Sequence, residues 1–265
     1  MAQVPRLKGQ NTGLWAPLEE ANLPNANNLP DHFVHRYDDG AISGIGAVSW
    51  YITLVTNTDV YPNAPGSWKA LWDPENKDRL GLLALVTNSF LLEITAKTWF
   101  GGTGILNTEE GILQVMDKLS EVKPNVRLWY RDEGQFQQAL ETGEIPMGQY
   151  YHDVTGLAAA EGKPVRSTFP EEGGVLDSGS WSVSKASERL EEAHVFIDYM
   201  CQPSIQSKLS RFVGTAPTIR SELTDLSDEE FAAVASDIPP ILPRYDIYGV
   251  RSDWLNQKWS ELIVG

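Results

Sequence analysis

The chain has 265 residues, of which 21 are basic and 36 acidic, so its formal net charge is -15. This balance argues against nucleic acid or an anionic membrane surface as a partner, because both reward clustered lysine and arginine. The composition is 42% hydrophobic and 22% charged, which is typical of a globular protein, and no apolar run approaches bilayer-spanning length. The length suffices for one large domain or for two lobes.

The first half of the chain predicts a loop-rich start followed by strands and a capped helix. Residues 1–40 are rich in Asn, Pro and Asp and are expected to be mostly loop. The segment "GAVSWYITLVTNT" (46–58) predicts a strand, and "RLGLLALVT" (79–87) is an apolar run of buried-strand length. Thr108 is placed to cap a helix that continues to Val122.

The second half alternates strands and helices. Strands are predicted at "NVRLW" (125–129) and "IPMGQYY" (145–151), with a short helix between them. Further helices are predicted at residues 190–200 and 204–212, in the run "FAAVA" after a capping box formed by Ser227 and Glu230, and at "SDWLNQKWSEL" (252–262). This alternation predicts an α/β protein with a mostly parallel sheet.

Motifs that would indicate catalysis or a cofactor fail. The segment "GIGAVS" (44–49) lacks the third glycine of a dinucleotide loop and precedes a strand, and no serine occupies a G-x-S-x-G frame. The histidines show no metal-ligand spacing, and His194 is expected at a helix surface or boundary. Cys201 lies in an apolar helical setting and predicts a buried, inert thiol. We therefore expect no catalytic residue, no metal and no cofactor.

Five segments carry a resemblance, and they occur in order along the chain: "SWKALWDPENKDRLGLL" (67–83), "VKPNVRLW" (122–129), "GEIPMGQYYHDVTGLAAAEGKPV" (143–165), "PEEGGVLDSGSWSVSKAS" (170–187) and "AHVFIDYMCQPSIQSKLSRFVGTAPT" (193–218). Together they resemble the solute-binding proteins of bacterial ABC transporters, in the spermidine/putrescine-binding group. The resemblance starts at "KGQNTGLWAPLEEANLPN" (8–25), so the first amino-terminal β-α units of the family are expected to be missing.

The resemblance implies a two-lobed periplasmic binding protein of the type II (Venus-flytrap) class, with mixed, mostly parallel sheets. We expect lobe one to comprise residues 1–75 and 177–222, and lobe two residues 76–176 and 223–265. The implied role is to close on a small solute between the lobes and deliver it to permease subunits in the inner membrane. The protein is expected to be a periplasmic monomer without a cofactor, although no signal peptide is recognised in the sequence.

Matching the family position by position gives candidate ligand contacts. Tyr151 stands where the family places the aromatic that stacks on the ligand, and Thr215 stands where polyamine binders often have a tyrosine. The full candidate set is Trp50, Thr87, Asn88, Tyr151, Asp153, Asp177, Ser178, Thr215 and Tyr245.

The departures from the family pattern bear on the ligand. Thr87 and Asn88 are neutral where polyamine binders have acids, Glu93 lies further along, and Asp177 is displaced from the usual acidic position. We therefore expect a ligand with one ammonium group, with or without a carboxylate, such as an amino acid or ω-amino acid. The candidate partners of that carboxylate are Arg131, Arg244 and Arg251, because a guanidinium fork matches its geometry.

Several alternatives stay open from the sequence. One alternative is that the ligand is a polyamine. Another is that it is ferric iron, bound through Tyr150 and Tyr151. A more remote alternative is an enzyme on the same scaffold. Asp177 itself is either a counter-charge for an ammonium group or simply a turn residue.

Overall fold

The structure, a computed structural model, describes residues 1–264. Its strands are β1 (Val34–Arg36), β2 (Ile42–Asn57), β3 (Leu80–Leu83), β4 (Val126–Tyr130), β5 (Met147–Tyr151), β6 (Val165–Thr168) and β7 (Val175–Trp181). Its α-helices are α1 (Gln3–Asn11), α2 (Val86–Ser89), α3 (Leu91–Phe100), α4 (Glu109–Ser120), α5 (Glu133–Glu141), α6 (His152–Ala160), α7 (Leu190–Met200), α8 (Pro203–Val213), α9 (Asp228–Ala232), α10 (Tyr245–Val250) and α11 (Ser252–Val264). Within these residues, no helix combines the length and apolarity needed to cross a membrane.

The chain folds into two compact units, each assembled from separate stretches of sequence. Unit 1 comprises Met1–Trp50 and Asp177–Ala235, and unit 2 comprises Tyr51–Leu176 and the segment from Ser236 onward. This division differs from the expected lobe boundaries at residues 75 and 222. Residues 51–75 belong to unit 2 because β2 beyond Trp50 pairs with β5 and β6.

Unit 2 contains a mixed sheet with the strand order β6-β2-β5-β3-β4. β2 pairs antiparallel with β5 and β6, whereas β3 pairs in parallel with β5 and β4. The predicted α/β class and the mixed sheet are thus confirmed, although parallel pairs do not predominate in it. The strand predicted at residues 79–87 is shorter than expected, since β3 ends at Leu83 and α2 begins at Val86.

Two hydrophobic clusters stabilise unit 2. The larger one joins β3, α3, α4 and α11, and it includes the fully buried side chains of Leu82 and Leu255. The smaller one surrounds Phe136 of α5. Gly81 and Gly148 permit this packing, because a side chain at either position would collide with the Phe136 ring. Glycine at these two strand positions therefore allows α5 to approach the sheet closely.

The predicted caps of two helices are confirmed. The Thr108 hydroxyl accepts a hydrogen bond of 3.1 Å from the backbone N–H of Gly111 at the start of α4. Ser227 and Glu230 form both bonds of a capping box at α9. Each cap satisfies backbone donors that the first turn of a helix leaves unpaired.

Unit 1 contains β1, which pairs antiparallel with the first half of β2, and β7, which also pairs with β2. The prediction of loop at its amino terminus is wrong for Gln3–Asn11, which form α1. The buried face of α1 is polar: Gln3 Nε2 donates to Ser180 Oγ at 2.7 Å, and Arg6 Nε donates to Gln3 Oε1 at 2.6 Å. Hydrophobic periodicity cannot reveal a helix whose inner face is held by hydrogen bonds.

His194 on α7 is another correction, because its side chain is buried rather than at a surface or boundary. Its Nε2 accepts a hydrogen bond of 2.9 Å from the backbone N–H of Glu19. Its Nδ1 lies 2.8 Å from the carbonyl oxygen of Leu190, which fixes the proton on Nδ1. The imidazole therefore joins α7 to the segment around Glu19. The Cys201 thiol is buried as predicted, and burial raises its pKa to about 12.

Candidate ligand-binding site

The candidate residues form two sets, one in each unit. Unit 2 holds five of them: Thr87, Asn88, Tyr151, Asp153 and Tyr245. Unit 1 holds the other four: Trp50, Asp177, Ser178 and Thr215.

In unit 2 the candidates gather at one edge of the sheet. β4, β3 and β5 are parallel neighbours, so their carboxyl ends meet at the same edge. Thr87 and Asn88 follow β3 on α2, and Tyr151 and Asp153 lie at the junction of β5 and α6. This edge of a parallel sheet is where ligands bind in open α/β folds.

Tyr151 is anchored by an acid that the sequence analysis did not single out. Its hydroxyl donates a hydrogen bond of 2.8 Å to Oε1 of Glu133, the first residue of α5. Glu133 comes shortly after β4 and so reaches the same sheet edge. The signal for it in the sequence is the acidic pair after the strand "NVRLW", which places a carboxylate at a carboxyl end.

Tyr150 does not resemble a metal ligand. Its side chain is buried and its hydroxyl donates to the carbonyl oxygen of Glu133 at 3.2 Å. Burial, with the nearby carboxylate of Glu133, raises the pKa of Tyr150 to about 12. A phenol held protonated in this way is a poor source of the phenolate that a hard metal requires, which argues against the ferric-iron alternative.

Asp153 offers an acceptor that lacks a protein partner. It is the second residue of α6 and half-buried. Its Oδ1 is buried and forms no hydrogen bond with the described part of the chain. Burial raises the pKa of the Asp153 carboxyl above its usual value, since desolvation disfavours the charged form. A ligand ammonium would donate a hydrogen bond to this oxygen and supply a positive counter-charge to the carboxylate.

The remaining candidates of unit 2 are neutral. The Thr87 hydroxyl donates to Oδ1 of Asn88 at 2.7 Å, so the Asn88 oxygen is engaged within the pair. Tyr245 of α10 packs edge-to-face on Phe90, with 6.2 Å between ring centroids. Phe90 adopts a left-handed backbone (φ 51°) between α2 and α3, and this turn presents Asn88 and Tyr245 beside the same segment.

In unit 1, Trp50 and Thr215 are neighbours across two chain segments. Ser49 and Ala216 form an antiparallel bridge, with Ala216 N–H donating to the Ser49 carbonyl at 2.8 Å. This register places Thr215 opposite Trp50. The indole Nε1 of Trp50 is buried and has no hydrogen-bond partner within residues 1–264. It is therefore a donor that suits a ligand oxygen.

Asp177 is a strand residue, so its interpretation as a turn residue is wrong. It is the third residue of β7, and its Oδ1 accepts a hydrogen bond of 2.6 Å from the backbone N–H of Ser178. By strand alternation it shares a face with Gly179. Gly179 lies against the ring of Trp50, so Asp177, Trp50 and Thr215 belong to one region of unit 1.

Ser178 lies on the opposite face of β7. Its hydroxyl accepts a hydrogen bond of 3.0 Å from Gln3 Nε2, and its side chain is buried. This contact joins β7 to α1. The Ser178 hydroxyl therefore holds the strand that carries Asp177.

The three candidate arginines differ in what holds them. Arg244 forms two hydrogen bonds with the carboxylate of Asp246, at 2.8 and 2.6 Å. Arg251 lies 3.8 Å from a carboxylate oxygen of Glu109. Arg131 is exposed, follows β4 directly, and forms no ion pair with any described residue. Arg131 is thus the arginine that the structure leaves available at the sheet edge of Tyr151 and Asp153.

Comparison with known proteins gives a consistent family. The profile of the bacterial extracellular solute-binding proteins matches residues 2–235. A γ-aminobutyric acid-binding protein of Pseudomonas aeruginosa is 26% identical over 229 residues, which cover 82% of this chain and 60% of that protein. The spermidine/putrescine-binding periplasmic protein of Escherichia coli is 23% identical over 209 residues, 78% of this chain and 59% of that protein. The chain therefore spans about 60% of the length of these curated relatives.

A solved structure agrees in fold. An ABC transporter protein from Clostridium perfringens superposes with a TM-score of 0.83 at 20% sequence identity. The superposition covers 99% of this chain and 82% of that protein. The resemblance stated from the sequence is confirmed, and with it the periplasmic-binding-protein fold. The chain belongs to the bacterial extracellular solute-binding proteins, a family of binding proteins rather than enzymes.

Proposed function

We propose that this chain is the solute-binding component of a bacterial ABC importer and works in the periplasm with membrane permease subunits. Its ligand is a small zwitterion with one ammonium group and one carboxylate, of the amino acid or ω-amino acid class. The observation that carries the ligand class is the buried Oδ1 of Asp153, which has no partner among the described residues.

The acids at the sheet edge of unit 2 support one ammonium group rather than several. Asp132 caps α5, since its Oδ1 accepts from the backbone N–H of Gln135 at 2.9 Å. Glu133 is engaged by the hydroxyl of Tyr151. Asp153 is thus the acid at this edge whose oxygen is still to be satisfied. A polyamine carries at least two ammonium groups, whereas the described residues offer one buried carboxylate oxygen without a partner, Oδ1 of Asp153.

A carboxylate on the ligand finds a donor in unit 2. Arg131 supplies a guanidinium without an ion-pair partner among the described residues at the same sheet edge, and a guanidinium binds a carboxylate through two parallel hydrogen bonds.

The names of the relatives support both an ω-amino acid and a polyamine ligand, since one is named for γ-aminobutyric acid and another for spermidine and putrescine. The neutral Thr87–Asn88 pair favours the zwitterion, because it offers no charge to an ammonium group. Polyamine binding therefore stays as the alternative, and direct measurement separates the two.

The test is a calorimetric titration with γ-aminobutyrate, putrescine and spermidine, with butyrate and butylamine as half-ligands. We expect γ-aminobutyrate to bind more tightly than all four others, because each half-ligand loses one charge contact and each polyamine lacks the carboxylate. A clear preference for putrescine or spermidine would overturn the zwitterion assignment. Raised thermal midpoints should follow the same order, since ligand stabilises the folded state by mass action.

A further inference from the structure

Unit 1 contains a pocket of about 370 Å³ away from the candidate ligand site. Its floor is apolar and includes the buried side chains of Leu29 and Ile42. Its charged lining consists of Glu20, Asp31, Arg36 and Arg220. Ile42 begins β2 and Trp50 lies eight residues along that strand, a separation of about 26 Å for extended backbone. The pocket is therefore remote from Trp50 and Thr215.

One pair of charges in the lining is already satisfied. Arg36 donates from Nη2 to Oε1 of Glu20 at 3.1 Å and from Nη1 to Oε2 at 3.3 Å. Arg36 also donates to the carbonyl oxygen of Gly40 at 2.9 Å. Arg36 and Glu20 line the pocket, and each charge is already paired within the protein.

The other pair is not satisfied. The Arg220 guanidinium donates from Nη1 to the carbonyl oxygen of Asn27, and no carboxylate of residues 1–264 lies within 4.0 Å of it. The Asp31 carboxylate forms no hydrogen bond and no ion pair with the described chain. The neighbouring His32 does not neutralise Asp31 near pH 7, because burial lowers the pKa of the imidazole.

We propose that this pocket is a second binding site, which takes a small zwitterion with its carboxylate on Arg220 and its ammonium group on Asp31. The two side chains line one pocket, yet they are too far apart to pair with each other. A ligand with both charges separated by methylene groups bridges that gap. Its methylenes lie on Ala26, Leu29, Val34 and Ile42 and remove apolar surface from water.

The position of Arg220 adds to the assignment. Its backbone N–H donates to the carbonyl oxygen of Asn28 at 2.9 Å, and its side chain bonds Asn27. These contacts fix the guanidinium over the segment that forms the pocket floor, so little side-chain freedom is lost when a ligand binds. A preorganised guanidinium binds a carboxylate better than a mobile one.

The test uses the methyl-labelled 265-residue chain and γ-aminobutyrate as the probe. The Ile42 and Leu29 methyl resonances should shift saturably, and more weakly with butyrate or butylamine at equal concentration. Arg220→Ala should weaken this response roughly tenfold, because it removes a charged hydrogen-bond pair. The matched control is Arg189→Ala, which removes one exposed positive charge from the same unit and should leave the response unchanged.

Two further variants separate this site from the proposed ligand site. Asp31→Asn, whose side chain makes no contact that folding requires, should reduce the γ-aminobutyrate response to that of butyrate. Asp153→Asn should leave the Ile42 and Leu29 shifts intact even if it abolishes tight binding. Three results would overturn the second site. The methyl resonances do not shift with γ-aminobutyrate, they shift as much in Arg220→Ala as in Arg189→Ala, or butyrate produces the same shifts as γ-aminobutyrate.

Discussion

The hydroxyl of Tyr248 donates a hydrogen bond of 2.7 Å to Oε2 of Glu93, and both side chains are buried in unit 2. The other carboxylate oxygen of Glu93 accepts from the backbone N–H of Arg244 at 2.8 Å. Glu93 lies on α3, whereas Arg244 and Tyr248 belong to the carboxyl-terminal segment. A single buried carboxylate thus joins that segment to the helix that follows Thr87 and Asn88.

Replacing Glu93 should separate its hydrogen bonding from its charge. Glu93→Leu leaves the Arg244 N–H and the Tyr248 hydroxyl unpaired in the interior, and should lower the free energy of unfolding by about 2–4 kcal/mol. Glu93→Gln keeps an oxygen that can accept from the Arg244 N–H, and its new amide nitrogen can donate to the Tyr248 oxygen, so it should lower the free energy of unfolding by less, about 1–2 kcal/mol. Urea unfolding measures both, with the exposed Glu110→Leu as the control. Equal losses in the two variants would contradict the hydrogen-bond explanation.

The same residue predicts a pH dependence. Burial raises the pKa of Glu93 above 4.5, so the folded protein retains a proton that the unfolded chain releases. The contribution of this group to stability therefore falls as pH rises from 4.5 to the raised pKa, and is constant above it. Glu93→Gln lacks this titration, so its stability relative to the native sequence should rise over that interval. A difference that does not vary with pH would exclude the effect.

Much of the fold was predictable where local chemistry and packing agree. Thr108 caps α4 as expected, and the apolar face of α4 includes the buried Ile112 and Leu119. Leu113, the apolar residue next to Ile112, is exposed, whereas Val115 is buried. Periodicity identifies a helix more reliably than it identifies each buried position.

The parts that could not be predicted depend on contacts distant in sequence. α1 escaped detection because its inner face is held by Ser178 and Ser180, far along the chain. Asp177 was open to a turn interpretation because glycines and serines surround it, yet pairing with β2 makes it a strand residue. Glu133 belongs to the site because its carboxylate accepts a hydrogen bond from the hydroxyl of Tyr151, 18 residues along the chain. No local pattern encodes such partners.

The last helix should depend on one indole hydrogen bond. Trp259 Nε1 donates to the carbonyl oxygen of Ala84 at 2.7 Å, and its ring packs edge-to-face on Trp129. Trp259→Phe leaves a buried carbonyl unpaired and a small void, so we expect a loss of about 1.5–3 kcal/mol by urea unfolding. Trp254→Phe on the same helix changes a half-buried ring and should cost less. A smaller loss for Trp259→Phe would contradict this assignment.

Asp153→Asn should weaken binding of an ammonium ligand by roughly tenfold or more, because a charged acceptor becomes a neutral one. In the native sequence, the affinity should fall as pH decreases through the raised pKa of Asp153, since protonation removes the charge. Calorimetry at several pH values measures both effects. Asp117→Asn removes one exposed charge from α4 and serves as control. A pH profile that is the same in Asp153→Asn and the native sequence would remove Asp153 from the site.

Arg131→Ala should discriminate between ligands rather than weaken all of them. We expect the affinity for γ-aminobutyrate to fall about tenfold, while butylamine, which has no carboxylate, binds as before. Arg127→Ala is the matched control, since Arg127 lies on β4, the strand that Arg131 follows, and pairs with Glu144 at 3.3 Å. A parallel loss of both ligands in Arg131→Ala would mean that the arginine supports the fold of the edge rather than the ligand carboxylate.

Tyr151 tests whether the ring or the hydroxyl matters for binding. Tyr151→Phe keeps the aromatic ring and removes the hydroxyl with its bond to Glu133, so the affinity should change by less than about threefold. Tyr151→Ala removes the wall as well, along with its cation–π attraction for an ammonium group, and should cost about tenfold or more. Calorimetric titration with γ-aminobutyrate separates the two. If Tyr151→Phe loses as much as Tyr151→Ala, the hydroxyl and its contact with Glu133 position the ligand, and the ring is secondary.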